Sequence, residues 1–193
     1  MQSLPWKTVR HEFAFDGAWR DIFVLGTDID GWQRMLDGLR SSHQDISYFR
    51  NSEPMELPEN AEDAFSPNGE DRPLLSVRFC GVLANSHFFT PEEIEFDIDP
   101  REVRGQERLD GVFAFMHTLA DFVGHEVILC PENCPGVVIF RVRPGAAKVE
   151  HVLAEKHLER SFWRGTRLGA LCQKAKRRAL AMLAALRARR PSQ

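Results

Sequence analysis

The sequence lacks the features that define several large classes of protein. It has no run of 18 apolar residues, so a membrane-spanning helix is not expected. Its glycines form neither GxGxxG nor GxxxxGK(S/T), and the motifs GxSxG and HExxH are also missing. No internal repeat or low-complexity tract is found. Nucleotide-binding loops and the common hydrolase signatures are therefore unsupported.

Cysteine is scarce and offers no zinc-site spacing. Cys130 and Cys134 are separated by three residues, whereas zinc knuckles usually have two, and no second Cys or His pair matches them. We interpret this segment as a packed turn and expect no metal or other cofactor there. The first 13 residues contain no apolar run of the kind found in secretory signals, which favours a cytoplasmic location.

Apolar residues make up 43% of the 193 positions, enough for a sizeable core. With 14 Phe, 4 Trp and only 1 Tyr, that core is expected to be rich in phenylalanine.

Charge is distributed unevenly along the chain. Residues 141–193 hold 14 of the 25 Lys and Arg but only 3 of the 28 Asp and Glu. The preceding 140 residues therefore carry a strong negative excess. Regions of opposite sign attract each other or attract separate partners.

Periodicity predicts an α+β fold, with a mostly antiparallel sheet and two packed helices. A hairpin is predicted over 11–25, a helix over 28–41 capped by Thr27, and a helix over 106–123. Strands are expected near 46–49, 74–83, 94–99, 127–129 and 137–142, with an acidic loop at 51–73 and a single helical turn at 90–93. We assign an acidic α+β domain to 1–145 and a basic helical extension to 146–193.

The C-terminal extension predicts a basic amphipathic helix. Its apolar residues recur at helical spacing from position 168 onward, and its polar positions include Lys174, Lys176, Arg177 and Arg178. The helix could pack on its own domain or in a homodimer, bind nucleic acid through phosphates, or contact an anionic surface. An apolar stripe needs burial, which favours packing over a free tail.

A stripe of carboxylates lies along one face of the strand predicted at 94–99. Glu95, Asp97 and Asp99 alternate with apolar residues and so share one face, about 6.5–7 Å apart. They could form a solvated face, dock together with Glu92 and Glu93 on a basic partner, or share a divalent ion with help from elsewhere.

Three segments resemble small bacterial proteins, some of which are similar to immunity proteins of polymorphic toxin systems. They are WRDIFVLGTDIDGWQRMLDGL (19–39), EIEFDIDPREV (93–103) and VILCPEN (127–133). The resemblance covers residues 11–143 and implies a compact α+β protein that binds another protein through an acidic surface. It implies no catalytic residue, and the basic segment lies outside it.

Our leading hypothesis is a non-enzymatic, immunity-like protein that binds a basic protein partner through the acidic residues at 92–99. It assigns no catalytic residue, metal or cofactor. The alternatives are a nucleic-acid-associated protein that uses the basic helix, and a metal-dependent hydrolase that uses the carboxylate stripe.

Overall fold

Nine antiparallel strands form a single sheet in the computed structural model, which describes residues 4–42, 45–65 and 73–152. The strands are β1 (Arg20–Leu25), β2 (Asp45–Arg50), β3 (Glu53–Met55), β4 (Pro73–Phe79), β5 (Val82–Ser86), β6 (Glu93–Ile98), β7 (Val127–Pro131), β8 (Phe140–Val142) and β9 (Glu150–His151). Their order across the sheet is β3-β2-β4-β5-β6-β1-β7-β8-β9. The predicted α+β class with a mostly antiparallel sheet is confirmed.

Within the described residues, three α-helices accompany the sheet: α1 (Trp6–Val9), α2 (Ile29–Ser41) and α3 (Gln106–Val123). The bounds of α3 match the sequence prediction, because its apolar stripe is continuous and Gly124 ends it in the left-handed conformation. The N-cap of α2 is Asp28 rather than the predicted Thr27, since the Asp28 carboxylate accepts the backbone N–H of Gly31 at 2.8 Å.

The core lies between α2, α3 and one face of the sheet. Alternate strand residues Ile22, Ile94, Phe96 and Leu129 are completely buried there. The opposite face, which we call the outer face, therefore carries their neighbours along each strand.

The hairpin predicted over 11–25 is wrong in its first strand. Residues Arg10–Phe13 form a 3-10 turn directly after α1. The buried Arg20 side chain donates to the carbonyl oxygens of Glu12 at 2.8 Å and Ala14 at 3.0 Å. Those carbonyls are consequently engaged by a side chain instead of by a neighbouring strand.

The strand predicted over 74–83 is two strands, because the chain reverses at Cys80 and Gly81. Both residues have positive φ angles, 45° and 76°, and Phe79 pairs with Val82 across the turn. A two-residue turn of this kind suits the twist of a hairpin. Cys80 is consequently exposed.

Three further local predictions are corrected. The loop predicted at 51–73 contains β3 and a 3-10 turn at Ala61–Ala64, while residues 66–72 lie outside the described part. Residues 90–93 form a turn with an isolated bridge between Thr90 and Glu93 rather than a helical turn. The helical extension assigned to 146–193 does not begin as a helix, because Glu150–His151 pairs with β8 as an edge strand.

The described residues belong to one compact unit, Met1–Val152. The predicted basic helix with Lys174, Lys176, Arg177 and Arg178 falls outside the described residues.

Close packing of α3 on the β4–β5 hairpin predicts a strong effect of Gly111→Ala. A Cβ at Gly111 would lie 2.7 Å from Cys80 Cβ, an atom that no side-chain rotation can move away. We expect the free energy of unfolding to fall by about 1–3 kcal/mol in chemical denaturation, despite the better helix propensity of alanine.

Two variants sharpen this test. Cys80→Gly removes the opposing Cβ at a position with positive φ, so it should restore the stability of Gly111→Ala in the double variant. Gly136→Ala, which would meet no atom within 4 Å, should have little effect. Equal loss of stability in the single and double variants would show that the contact with Cys80 is not the cause.

Candidate carboxylate site on the outer face of the sheet

The alternation predicted for β6 is confirmed. Ile94, Phe96 and Ile98 are fully buried, while Glu95 and Asp97 are partly exposed. Since the apolar residues face the helices, the two carboxylates lie on the outer face of the sheet. Asp99 follows the end of the strand and has a different environment.

A third carboxylate, Asp21, comes from the neighbouring strand β1. The antiparallel register places Asp21 directly opposite Asp97 on one side and Cys130 of β7 on the other. Asp21 has no exposed surface. The residues after β7 contribute to its enclosure, because the backbone N–H of Asn133 donates to Asp21 Oδ2 at 2.5 Å.

Asp21, Glu95 and Asp97 form a tight cluster. Each offers a carboxylate oxygen, and the three oxygens lie within 4.8 Å of one another. Like charges directly opposite on neighbouring strands destabilise a sheet unless something compensates them. The cluster therefore needs protons or a cation.

Burial raises the pKa of all three carboxyl groups. The pKa of Asp21 rises to about 7, mainly by desolvation and also through the negative charges of Asp97 and Glu132, against the lowering effect of the hydrogen bond from Asn133. The pKa of Glu95 rises to about 8, by desolvation and then by the charge of Asp21. Desolvation likewise raises the pKa of Asp97 to about 6. Near pH 7 the cluster is only partly ionised.

One oxygen of Asp21 is left without a hydrogen-bond donor. Asn133 binds Oδ2, whereas Oδ1 is buried and has no hydrogen-bond donor while the neighbouring carboxyl groups are ionised; a proton on Asp97 or Glu95 allows a hydrogen bond with Asp21. A buried polar atom without a partner costs about 1–3 kcal/mol, and more when it carries charge. A bound cation would remove this cost.

The donor set suits a hard divalent cation. Three carboxylates provide only oxygen ligands, which Ca²⁺, Mg²⁺ and Mn²⁺ prefer. Ligand oxygens on opposite sides of a Ca²⁺ ion lie about 4.6–5.2 Å apart, so the observed spacing needs little rearrangement. Cys130 does not extend the set, because burial raises the pKa of its thiol to about 12 and keeps it neutral.

Polar residues continue from the cluster along the outer face. Asn85 of β5 is the cross-strand partner of Asp97, and its side-chain oxygen accepts a hydrogen bond from Ser76 of β4 at 2.8 Å. This row of polar side chains leads from Asp21 towards the β4 side of the sheet, which gives the carboxylate site a polar approach.

The other residues predicted to bind a partner are not members of the cluster, although the negative charge of Glu93 contributes to the raised pKa of Glu95. Glu92 is exposed on the turn before β6 and is hydrogen-bonded to the Thr90 hydroxyl, which lowers its pKa. Glu93 is partly exposed at the start of β6. Arg101 binds Asp99, with Arg101 Nη2 2.7 Å from Asp99 Oδ2, and these hydrogen bonds lower the pKa of Asp99.

The sequence prediction missed Asp21 and so described a stripe rather than a cluster. Asp21 lies in the run RDIFVL, whose apolar residues indicated a buried strand. A lone carboxylate in such a run was a usable signal, because buried charges are rare unless they are paired or bind a metal.

Where the structure describes the chain, no helix is both long enough and apolar enough to cross a membrane. No protein family model, curated protein or solved structure matches the chain.

Proposed function

We propose that the protein binds a divalent cation through Asp21, Glu95 and Asp97. The observation that carries this proposal is the fully buried Asp21, whose Oδ1 has no hydrogen-bond donor once the cluster is ionised, while two further carboxylates lie within reach of the same ion. A cation would supply the missing partner and offset the repulsion between facing carboxylates.

Protons compete with the cation for this site. The three pKa values, about 7, 8 and 6, mean that an incoming ion displaces protons at neutral pH. Metal binding to groups that must first lose protons strengthens as pH rises. Cation affinity should therefore increase between pH 6 and pH 8.5.

The test is calorimetric titration of the full chain with Mn²⁺ at pH 8. We expect one ion to bind per chain, and we expect Glu95→Gln combined with Asp97→Asn to weaken binding at least tenfold. The matched control is Glu92→Gln combined with Asp99→Asn, which removes two carboxylates of the same region outside the cluster. Lack of Mn²⁺ binding, or an equal loss of Mn²⁺ affinity in both double variants, would contradict the proposal.

The same cluster supports a second proposal, that a basic side chain of a protein partner occupies it. A Lys or Arg inserted between Asp21 and Asp97 would neutralise the charges that the cation is proposed to neutralise. This is the immunity-like function that the sequence resemblance implies. Capture of a basic partner would then need no divalent ion and would be lost in the Glu95→Gln/Asp97→Asn variant.

A further inference from the structure

We propose that Glu132 is a fourth carboxylate ligand of the cation site and that it makes the site selective for Ca²⁺ over Mg²⁺. This inference rests on the proposed function, because it adds a residue to the site formed by Asp21, Glu95 and Asp97 and names the ion. It is carried by the position of Glu132 on the outer face, by its hydrogen bonds to β1, and by the burial of the cluster.

Glu132 is a neighbour of Asp21 on the outer face of the sheet. Cys130 of β7 is the cross-strand partner of Asp21, and Glu132 follows Cys130 by two residues. Residues two apart along an extended chain share a face, so Glu132 lies diagonally across from Asp21. Diagonal neighbours in an antiparallel pair are about 7–8 Å apart, which is within reach of a long side chain.

Two hydrogen bonds continue the pairing of β1 and β7 through Glu132, although β7 itself ends at Pro131. The backbone N–H of Glu132 donates to the carbonyl oxygen of Trp19 at 3.2 Å, and Glu132 Oε2 accepts the backbone N–H of Trp19 at 3.0 Å. The next residue, Asn133, donates its N–H to Asp21 Oδ2. The Glu132–Asn133 peptide is therefore held against Asp21, and the Glu132 carboxylate is held against the strand that carries Asp21.

The charge of Glu132 acts on the facing pair Asp21 and Asp97. Desolvation is the main reason why the pKa of each of the two is raised, and the negative charge of Glu132 raises both further. A carboxylate that repels both members of the pair is also close enough to stabilise a cation bound between them. A carboxylate has about four lone-pair positions, so the hydrogen bond from Trp19 does not prevent Glu132 from contacting an ion.

Four carboxylates around a buried position favour Ca²⁺ over Mg²⁺. Ca²⁺ accepts about six to eight oxygen ligands in a flexible geometry, whereas Mg²⁺ usually keeps several waters and binds through only one or two carboxylates. Asp21 has no exposed surface, so an ion that contacts it must give up water on that side. Mg²⁺ loses water reluctantly, and the additional carboxylate of Glu132 compensates Ca²⁺ better than Mg²⁺ for this loss.

The test is calorimetric titration of the full chain with Ca²⁺ and with Mg²⁺ at pH 8, in the wild type and in Glu132→Gln. We expect the wild type to bind Ca²⁺ about tenfold or more tightly than Mg²⁺. Glu132→Gln should weaken Ca²⁺ binding about tenfold and Mg²⁺ binding by clearly less, so that the selectivity falls. The glutamine oxygen can still accept the N–H of Trp19, and retained Mg²⁺ binding serves as the measure that the variant is folded.

Glu107→Gln is the matched control. It removes the same charge at an exposed position in the first turn of α3, which packs on the opposite face of the sheet. Both affinities should be unchanged in this variant. If Glu132 acted by its charge alone, Glu132→Gln would weaken Ca²⁺ and Mg²⁺ binding by the same factor, and the assignment of Glu132 as a ligand would be wrong.

The outcomes separate this inference from the proposed function. Binding of Mn²⁺ and Ca²⁺ with unchanged affinities in Glu132→Gln, or tighter binding of Mg²⁺ than of Ca²⁺ by the wild type, would overturn the inference and leave the cation site standing. Absence of binding of all three ions would overturn the proposed function and, with it, the role of Glu132.

Discussion

Asp21→Asn is expected to raise the stability of the cation-free protein at pH 8, although the residue is fully buried. At that pH the wild-type carboxylate is ionised, faces Asp97 and has one oxygen without a donor. An asparagine oxygen can still accept the N–H of Asn133, and its NH2 group can donate to a neighbouring carboxylate. We expect the free energy of unfolding to increase by on the order of 2 kcal/mol in urea denaturation.

The same substitution should abolish stabilisation by divalent cations. A ligand at 100 times its dissociation constant stabilises the native state by about 2.7 kcal/mol, and this gain should be present in the wild type and lost in Asp21→Asn. Asp99→Asn is the matched control: Arg101 already neutralises Asp99, so this change should not increase stability. A destabilised Asp21→Asn protein that still responds to Mn²⁺ would contradict the assigned role of Asp21.

The second large effect is a loss of stability as pH rises from 6.5 to 8.5 without divalent ions. The folded-state pKa values of Asp21 and Glu95, about 7 and 8, exceed their ordinary values of 3.8 and 4.5. The native state therefore binds more protons than the unfolded state across this window, and the free energy of unfolding falls with pH. We expect a decrease of about 1–2 kcal/mol, allowing for the partial exposure of Glu95.

The window is chosen to isolate these carboxylates. Burial lowers the pKa of His87, which gives a stability change of opposite sign at lower pH. The buried Cys130 thiol, with its pKa raised to about 12, begins to contribute above the ordinary thiol value of 9.0. Saturating Mn²⁺ should abolish the decrease, and Asp21→Asn combined with Glu95→Gln should make the profile nearly flat. A flat wild-type profile in EDTA would refute the assigned protonation of the cluster.

Local patterns in the sequence were enough to predict α3 and the orientation of β6. An apolar stripe at helical spacing along Gln106–Val123, followed by Gly124, specifies a helix without reference to the rest of the fold. Strict alternation between Ile94 and Ile98 likewise specifies which side chains share a face. Both signals depend only on neighbours along the chain.

The site itself depends on contacts between distant parts of the sequence. Asp21 meets Asp97 only because β1 pairs with β6 and not with a strand next to it in the chain. Its burial also involves Asn133, 112 residues away. No periodicity in the sequence predicts this register. The alternation in β6 therefore indicated that Glu95 and Asp97 share one face of a strand, but not that Asp21 lies opposite Asp97.

The environment of the cluster also changes the interpretation of the acidic composition. Counting every carboxyl group as ionised gives the first 140 residues a strong negative excess, which favoured docking on a basic partner. Burial instead raises the pKa of Glu95 to about 8 and that of Asp21 to about 7, so both keep part of their protons at neutral pH. The outer face is less negative than its composition implies until a cation displaces those protons.

Anomalous X-ray scattering from crystals soaked in Mn²⁺ at pH 8 would locate a cation bound by the three carboxylates. We expect one strong peak within coordination distance of a carboxylate oxygen from each of Asp21, Glu95 and Asp97, and its disappearance in crystals of the Asp21→Asn variant. Strong peaks elsewhere with none at these three carboxylates, or an unchanged peak in the Asp21→Asn variant, would contradict the proposed cation site.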